Sequence, residues 1–275
     1  MDAELNGYLD AWRSATGDVT TLLRELTPQE WELPTDLPGW NVRYVAGHLA
    51  HLESDLAGFP QEQVEVPEAD HVKGLMDQFT EAGPIARANW TTAAIIEEFE
   101  RAVTTRDQAL QSDPPDPDAI AGGFAALVGW SWRTLLSNRA LDVWMHDQDI
   151  RRAVNRPDGL QGPGAAHTAA VCARSWPYVV GKRAGAPSGT TAVLEVVGPQ
   201  ARTLAAHVGE DGRARPVDPA AGSGSSAVPE VVVRLDFEDW IALSGGRRSP
   251  DATGARIEGD QALGAAILAG MTITP

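Results

Sequence analysis

The chain has 275 residues, of which 43% are hydrophobic and 22% charged, a globular composition long enough to bury two modest cores. The formal net charge of -16 repels phosphate backbones and anionic lipid headgroups, so we expect neither nucleic acid nor a membrane as the main partner. The single cysteine, Cys172, excludes an intrachain disulfide and is predicted to be a small buried side chain. No apolar run has the length of a membrane span and no signal peptide is evident, so a cytoplasmic location is expected.

Helical periodicity dominates the first half of the chain. Helices are predicted over five segments, the third of them weak: 1–26, 42–56, 72–79, 92–110 and 127–154. Asn41 and Thr92 are suitable N-caps, and Pro114 and its neighbouring prolines end the helix that precedes them. Residues 1–156 are therefore predicted to form an antiparallel four-helix bundle.

The second half of the chain has a different pattern, which begins after a linker rich in proline and glycine at 157–164. A helix is predicted over 165–180. The β-branched runs predict strands over 190–197, 202–208 and 230–235, and two short helices are predicted over 237–243 and 260–269. A Gly/Ser-rich segment at 220–226 is predicted to be flexible. Residues 164–275 thus form a smaller α+β domain, and the whole chain is assigned to the α+β class.

Asp142 and His146 lie four residues apart on the last helix of the predicted bundle, so their side chains share one face, one turn apart. Such a pair can hold a metal ion, although the same spacing is also common in solvated pairs on helix surfaces. A third ligand would come from another helix. His48 lies among apolar residues of the second helix, but periodicity alone does not connect it to the pair.

Several segments together resemble the mycothiol-dependent maleylpyruvate isomerase family of the DinB-like superfamily. They are LPGWNVRYVAGHLA at 37–50, DVWMHDQDIRR at 142–152, FEDW at 237–240, SGGRRSP at 244–250 and IEGD at 257–260. The resemblance covers nearly the whole chain. It implies a DinB-like metal-binding helical bundle followed by a sterol-carrier-like C-terminal domain.

The resemblance implies that His48, Asp142 and His146 ligate a divalent metal, with zinc the expected ion. The usual carboxylate at the second position is glutamate. Asp142 is one methylene shorter, which reduces its reach by about 1.5 Å and predicts an altered coordination geometry or metal preference. His51, one turn beyond His48, is interpreted as an exposed residue or as a partner of a ligand.

The resemblance also implies that an arginine of the C-terminal domain reaches the active site, and Arg247 is the candidate, with Arg248 beside it as the alternative. A guanidinium group suits a keto-acid or carboxylate substrate, which it can hold through paired hydrogen bonds. The expected partners are such a small-molecule electrophile and a low-molecular-weight thiol. The chain is expected to be a monomer or a homodimer.

Mycothiol is the implied thiol cosubstrate. Its thiolate would add to the cis double bond of maleylpyruvate, the resulting single bond would rotate, and elimination would give the trans isomer. Without elimination, the same apparatus is a thiol S-transferase. A third hypothesis is a non-catalytic metal- or ligand-binding regulator, and the residues do not separate these three.

Overall fold

A computed structural model of the protein describes residues 2–69, 72–219 and 229–274. The chain divides into two compact units, residues 1–167 and 168–275. The predicted α+β class is confirmed, because the first unit is helical and the second contains a sheet. The predicted domain boundaries, 1–156 and 164–275, stay a prediction. No helix in the described ranges combines the length and hydropathy that a membrane span requires.

The first unit is built on four long helices. With two shorter ones, the described helices are α1 (Ala3–Glu25), α2 (Val42–Leu56), α3 (Leu75–Arg87), α4 (Thr92–Ser112), α5 (Phe124–Leu127) and α6 (Trp132–Ala153). Helix α1 packs against α4 and α6, and α2 packs against α3, α4 and α6. The predicted long helices are therefore present, and their apolar stripes form the core.

Helices α2 and α6 are enclosed by their neighbours along much of their length. Asn41 caps α2 by accepting a hydrogen bond from the backbone of Tyr44 (2.9 Å). Ser131 caps α6 in the same way, accepting from the backbone of Thr134 (3.3 Å). Because every residue from 45 to 54 and from 143 to 150 is buried, the polar side chains of these two stretches lie inside the unit.

The weak helix predicted over 72–79 is wrong in its bounds, since α3 begins at Leu75 and continues to Arg87. The first turn is fixed by Asp77, whose carboxylate accepts hydrogen bonds from the backbone of Lys73 and Gly74. Pro84 lies inside the helix, where proline removes a backbone donor and normally ends helical structure. The helix continues through it because this stretch is packed against α2.

Two further predicted helices differ from the structure. The one predicted over 127–154 begins at Trp132, because Gly129 has a positive φ of 68° and separates it from α5. The one predicted over 165–180 ends early, as α7 (Pro163–Arg174). It is followed by a short α8 (Trp176–Tyr178) and a π-helical turn (Val179–Arg183), since Pro177 interrupts the backbone ladder.

The second unit contains a five-stranded sheet with the order β3-β2-β1-β4-β5. The strands and the remaining helices are β1 (Thr191–Val197), β2 (Arg202–Val208), β3 (Ala214–Val217), β4 (Val231–Asp236), α9 (Phe237–Ser244), β5 (Arg256–Gly259) and α10 (Gln261–Ala269). Strands β1 and β4 are parallel and the other pairs are antiparallel. Helix α8 packs on β2 and β3, and α10 packs on β4 and β5.

The sequence pattern predicts three of these strands and both terminal helices, whereas β3 and β5 were not predicted. Each of these two has only four residues at an edge of the sheet, mostly exposed, so neither shows an apolar alternation. The Gly/Ser-rich segment 220–226, predicted to be flexible, lies outside the described residues.

Candidate metal centre

His48, Asp142 and His146 come together between α2 and α6. Among the described residues they form a group in which one possible ligand atom from each lies within 4.8 Å of the others. Nε2 of His48 is 3.7 Å from Oδ2 of Asp142, and Nε2 of His146 is 3.7 Å from Oδ1. The structure therefore brings the three sequence-predicted ligands to one place, although they come from distant parts of the chain.

The donor set and its spacing fit a divalent cation. Bonds of about 2.1 Å in a tetrahedral arrangement separate ligand atoms by about 3.4 Å, so small side-chain movements would close these distances. Both ring nitrogens of His48 are buried and have no hydrogen-bond partner within the described part of the chain. An imidazole left unsatisfied in this way is costly unless something absent from the chain itself binds it.

The surroundings of the site favour a neutral His48 and an ionised Asp142. Burial lowers the pKa of His48 below its usual 6.5, although Asp142 acts in the opposite direction. Burial also opposes ionisation of Asp142, but the adjacent Arg139 guanidinium, with smaller contributions from the neighbouring imidazoles, outweighs burial and holds the pKa of Asp142 well below 3.8. A neutral imidazole and a carboxylate are the forms that a metal ion requires. The Asp142 side chain is 25% exposed, so a solute can approach from its side.

The indole ring of Trp40 packs against two of the three candidate ligands. The ring of Trp40 lies 5.1 Å from that of His48 and 6.0 Å from that of His146, measured between centroids. Its indole Nε1 donates to Glu81 (3.0 Å), which also accepts from the hydroxyl of Tyr44 (2.8 Å). Trp40 and Tyr44 also line a cavity of about 400 Å³ formed by the loop before α2.

Comparison with known proteins identifies the family to which the chain belongs. The family model described as the mycothiol maleylpyruvate isomerase N-terminal domain matches residues 12–151, and the MDMPI C-terminal domain model matches residues 166–266. The chain belongs to this family. The predicted resemblance is therefore confirmed over both halves of the chain.

Two solved structures of the isomerase family have the same fold as this chain. A crystal structure of mycothiol-dependent maleylpyruvate isomerase is 19% identical with a TM-score of 0.52, covering 94% of this chain and 96% of that one. A point mutant of that isomerase is 18% identical with a TM-score of 0.51, covering 93% of this chain and 95% of that one. A search of curated proteins gives no significant match.

His51 of this isomerase-family chain is buried, so the interpretation of it as an exposed residue is wrong. Its Nδ1 contacts Oε1 of Gln61 (2.7 Å), and that oxygen already accepts from Arg87, so Nδ1 is the donor. Its ring also packs on Phe79, with the centroids 4.5 Å apart. Asp55, further along α2, accepts a hydrogen bond from the backbone of Phe124 (2.8 Å).

Arg247 and Arg248 follow α9 in the second unit. Arg248 pairs with Asp239 (2.5 Å) and with Glu238 (3.1 Å), which fixes its guanidinium group. Arg247 is half-buried and donates from Nη1 to the backbone oxygen of Gly245 (2.5 Å). A role for Arg247 in the active site stays a prediction.

Two residues that contact the candidate ligands, Arg139 and Asp149, were not predicted from the sequence. Arg139 donates to Asp142 (2.6 Å), and Asp149 contacts Nδ1 of His146 (3.0 Å). Each lies three residues from its partner on α6, so the spacing i, i+3 was available as a signal. This spacing is common on exposed helices, and only burial distinguishes these two pairs.

Proposed function

We propose that the protein is a metal-dependent enzyme that uses mycothiol as a cosubstrate and isomerises a cis double bond in a maleylpyruvate-type keto acid. The observation that carries the proposal is the position of the buried His48 beside Asp142 and His146, with both of its ring nitrogens making no hydrogen bond to the described residues. Two imidazoles and one carboxylate make a three-ligand set that leaves a coordination position open, as in catalytic zinc sites. Membership in the mycothiol maleylpyruvate isomerase family supports the choice of thiol and substrate class.

The bound cation, for which we propose zinc, would supply positive charge that favours the thiolate over the thiol. His48 and His146 would hold it in their neutral forms, and Asp142 would contribute one negative charge. Trp40 would shield one side of these ligands from water. The nucleophile itself has to come from a cosubstrate, because Cys172, the only protein thiol, is buried and burial raises its pKa to about 12.

In the proposed reaction, the mycothiol thiolate adds to one carbon of the cis double bond, which converts the substrate to an enolate with a single bond at that position. Rotation about that bond and elimination of the thiolate give the trans isomer and regenerate mycothiol. We propose that Arg247 holds a carboxylate of the substrate by charge-assisted hydrogen bonds and stabilises the enolate. A substrate that cannot eliminate would be retained as a thioether, which is the S-transferase reaction.

The experiment is to load the purified protein with zinc and incubate it with mycothiol and maleylpyruvate. We expect isomerisation that requires both metal and thiol, with mycothiol conserved. Mycothiol consumption with thioether formation would indicate the S-transferase instead. Tight metal binding with no reaction across a panel of electrophiles would indicate the non-catalytic regulator.

Variants test whether the three side chains are the ligands. His48→Ala and Asp142→Ala are each expected to abolish stoichiometric zinc binding and turnover. His167→Ala is the matched control, since His167 lies in the same unit but contacts Ser137 and Tyr8 instead of the metal ligands. Full zinc content in both ligand variants would refute the proposed site.

A further inference from the structure

We infer that Asp149 is a positioning residue that orients His146 toward the metal, an inference that rests on the metal site proposed above. Asp149 lies one turn after His146 on α6, and its side chain is completely buried. Oδ2 of Asp149 is 3.0 Å from Nδ1 of His146.

The contact determines which nitrogen of His146 carries the proton. An ionised carboxylate only accepts, so Nδ1 donates to it and the lone pair lies on Nε2. Nε2 is the nitrogen that lies toward Asp142, at 3.7 Å from Oδ1. The hydrogen bond thus leaves the correct nitrogen free to bind a cation, and it also increases the basicity of that nitrogen.

Asp149 is itself held in place by a cation. Nη2 of Arg152 donates to Oδ1 of Asp149 (2.5 Å), so the two carboxylate oxygens have separate partners. The same guanidinium donates from Nε to Asp36 (2.6 Å). Asp36 lies in the loop that carries Trp40, whose ring is stacked on His146 at an angle of 19°. The imidazole is therefore restrained at its edge by Asp149 and on its face by Trp40.

His48 has no equivalent partner, because its Nδ1 makes no hydrogen bond to the described residues. The two imidazoles are therefore unequal, and His146 is the one whose direction is set before a cation arrives. Of the two histidine ligands that a cation would bind, His146 would already be oriented and His48 would be less restrained.

The test measures metal binding by the whole protein, without reference to turnover. Zinc affinity is determined by chelator competition, and the cobalt-loaded protein is examined by visible absorption, which reports ligand geometry. Loss of a comparable partner of a metal-bound histidine weakens affinity by about 10- to 100-fold. We expect that loss and an altered cobalt spectrum for Asp149→Ala. A smaller loss is expected for Asp149→Asn, whose amide oxygen still accepts from Nδ1.

Glu98→Gln is the matched control. Glu98 is another buried carboxylate of the same unit, paired with Arg87 (2.5 Å) and Ser54 (2.9 Å), and it makes none of the contacts described for the metal ligands. We expect Glu98→Gln to lower the stability of the metal-free protein but to leave zinc affinity and the cobalt spectrum unchanged.

The outcomes separate the inference from the proposed function. If both Asp149 variants bind zinc like the wild type and differ only in stability, the inference is overturned and the metal site stands. Should Asp149→Ala not fold, the nearly isosteric Asp149→Asn decides: unchanged affinity and spectrum overturn the inference. If the wild-type protein binds neither zinc nor cobalt, the proposed function fails and the inference fails with it.

Discussion

Arg139 connects the candidate metal site to the buried charges of the helical unit by donating from Nη1 to Oδ2 of Asp142 at 2.6 Å. Its other two nitrogens, Nε and Nη2, both donate to Oε1 of Glu53, at 3.0 and 2.9 Å. Glu53 also pairs with Arg106 of α4, and all three side chains of this network are almost fully buried. The position of Asp142 therefore depends on a carboxylate in α2 that is no candidate ligand.

We expect Glu53→Gln to destabilise the protein by about 3–5 kcal/mol, because it leaves Arg106 and Arg139 buried without their shared counter-charge. In the native protein these two arginines outweigh the cost of burial and hold the pKa of Glu53 below its usual 4.5. Urea unfolding of the metal-free protein measures the change in the free energy of unfolding.

The control for this prediction is Glu32→Gln. Glu32 forms an ion pair with Arg43 (2.9 Å) but is 55% exposed, so water screens the pair. A loss of about 0–1 kcal/mol is expected there. Equal losses in the free energy of unfolding for the two variants would contradict the prediction that burial makes the ion pairs of Glu53 the stronger ones.

Gly83 is predicted to be required for the packing of α3 on α2. A Cβ added there would lie 2.4 Å from both Cβ and Cγ of His51, which is too close for any side chain. Gly83→Ala should therefore destabilise the protein by about 1–3 kcal/mol in denaturant unfolding, through overpacking.

Gly17 in α1 offers the opposite case, because nothing lies within 4 Å of the Cβ that an alanine would add. Gly17→Ala should stabilise the protein by about 0.5–1 kcal/mol, since alanine loses less conformational freedom in a helix. If both substitutions shift stability in the same direction, the close approach of α3 to α2 is not what determines the residue at 83.

The stability of the metal-free protein should depend on His51 in mildly acidic solution. Burial lowers the pKa of His51 to about 4 from its usual 6.5. As the pH falls below 6.5, His51 therefore becomes protonated in the unfolded chain but stays neutral in the native protein. The free energy of unfolding then decreases until the pH reaches about 4. The full loss from this residue is about 3 kcal/mol.

His51→Asn tests this dependence, because its amide can still donate to Gln61 but does not titrate. The free energy of unfolding of the wild type should decrease more steeply than that of the variant between pH 6.5 and 4. A constant difference between the two proteins over this interval would argue against a neutral, buried His51.

Cys172 should be inert toward alkylating reagents in the native protein. Burial raises the pKa of its thiol to about 12, so almost no thiolate exists at pH 8, and the side chain is 2% exposed. We expect no labelling by iodoacetamide at pH 8, complete labelling after denaturation, and full thiol-dependent turnover in Cys172→Ala. Labelling of the native protein at the rate of a free cysteine would be the contrary result.

Two of the three candidate ligands were predicted to lie together on physical grounds alone. The spacing of Asp142 and His146 places them on one face of a helix, and that helix exists, although it begins at Trp132 and not at residue 127. The meeting of His48 with this pair depends on how α2 packs beside α6, which local periodicity does not encode. The resemblance to the isomerase family supplied that connection.

The bounds of α3 show another limit of local inference. Gly83 and Pro84 are poor helix formers, so local propensity disfavours a helix through this stretch. The absence of a side chain at Gly83 in α3 and at Gly47 in α2 lets the two helices lie close together, and the α-carbon of Pro84 is 3.2 Å from the position of a Cβ on Gly47. Tertiary packing thus overrides local propensity in the second half of α3.

The division of the candidate ligands between α2 and α6 has a consequence for folding. Any cation held by His48 together with Asp142 and His146 would act as a non-covalent cross-link that closes a long loop of chain. Because such a cross-link exists only in the folded state, ion binding and resistance to heat would rise together. A chelator that removes the ion would then lower the temperature at which this protein unfolds.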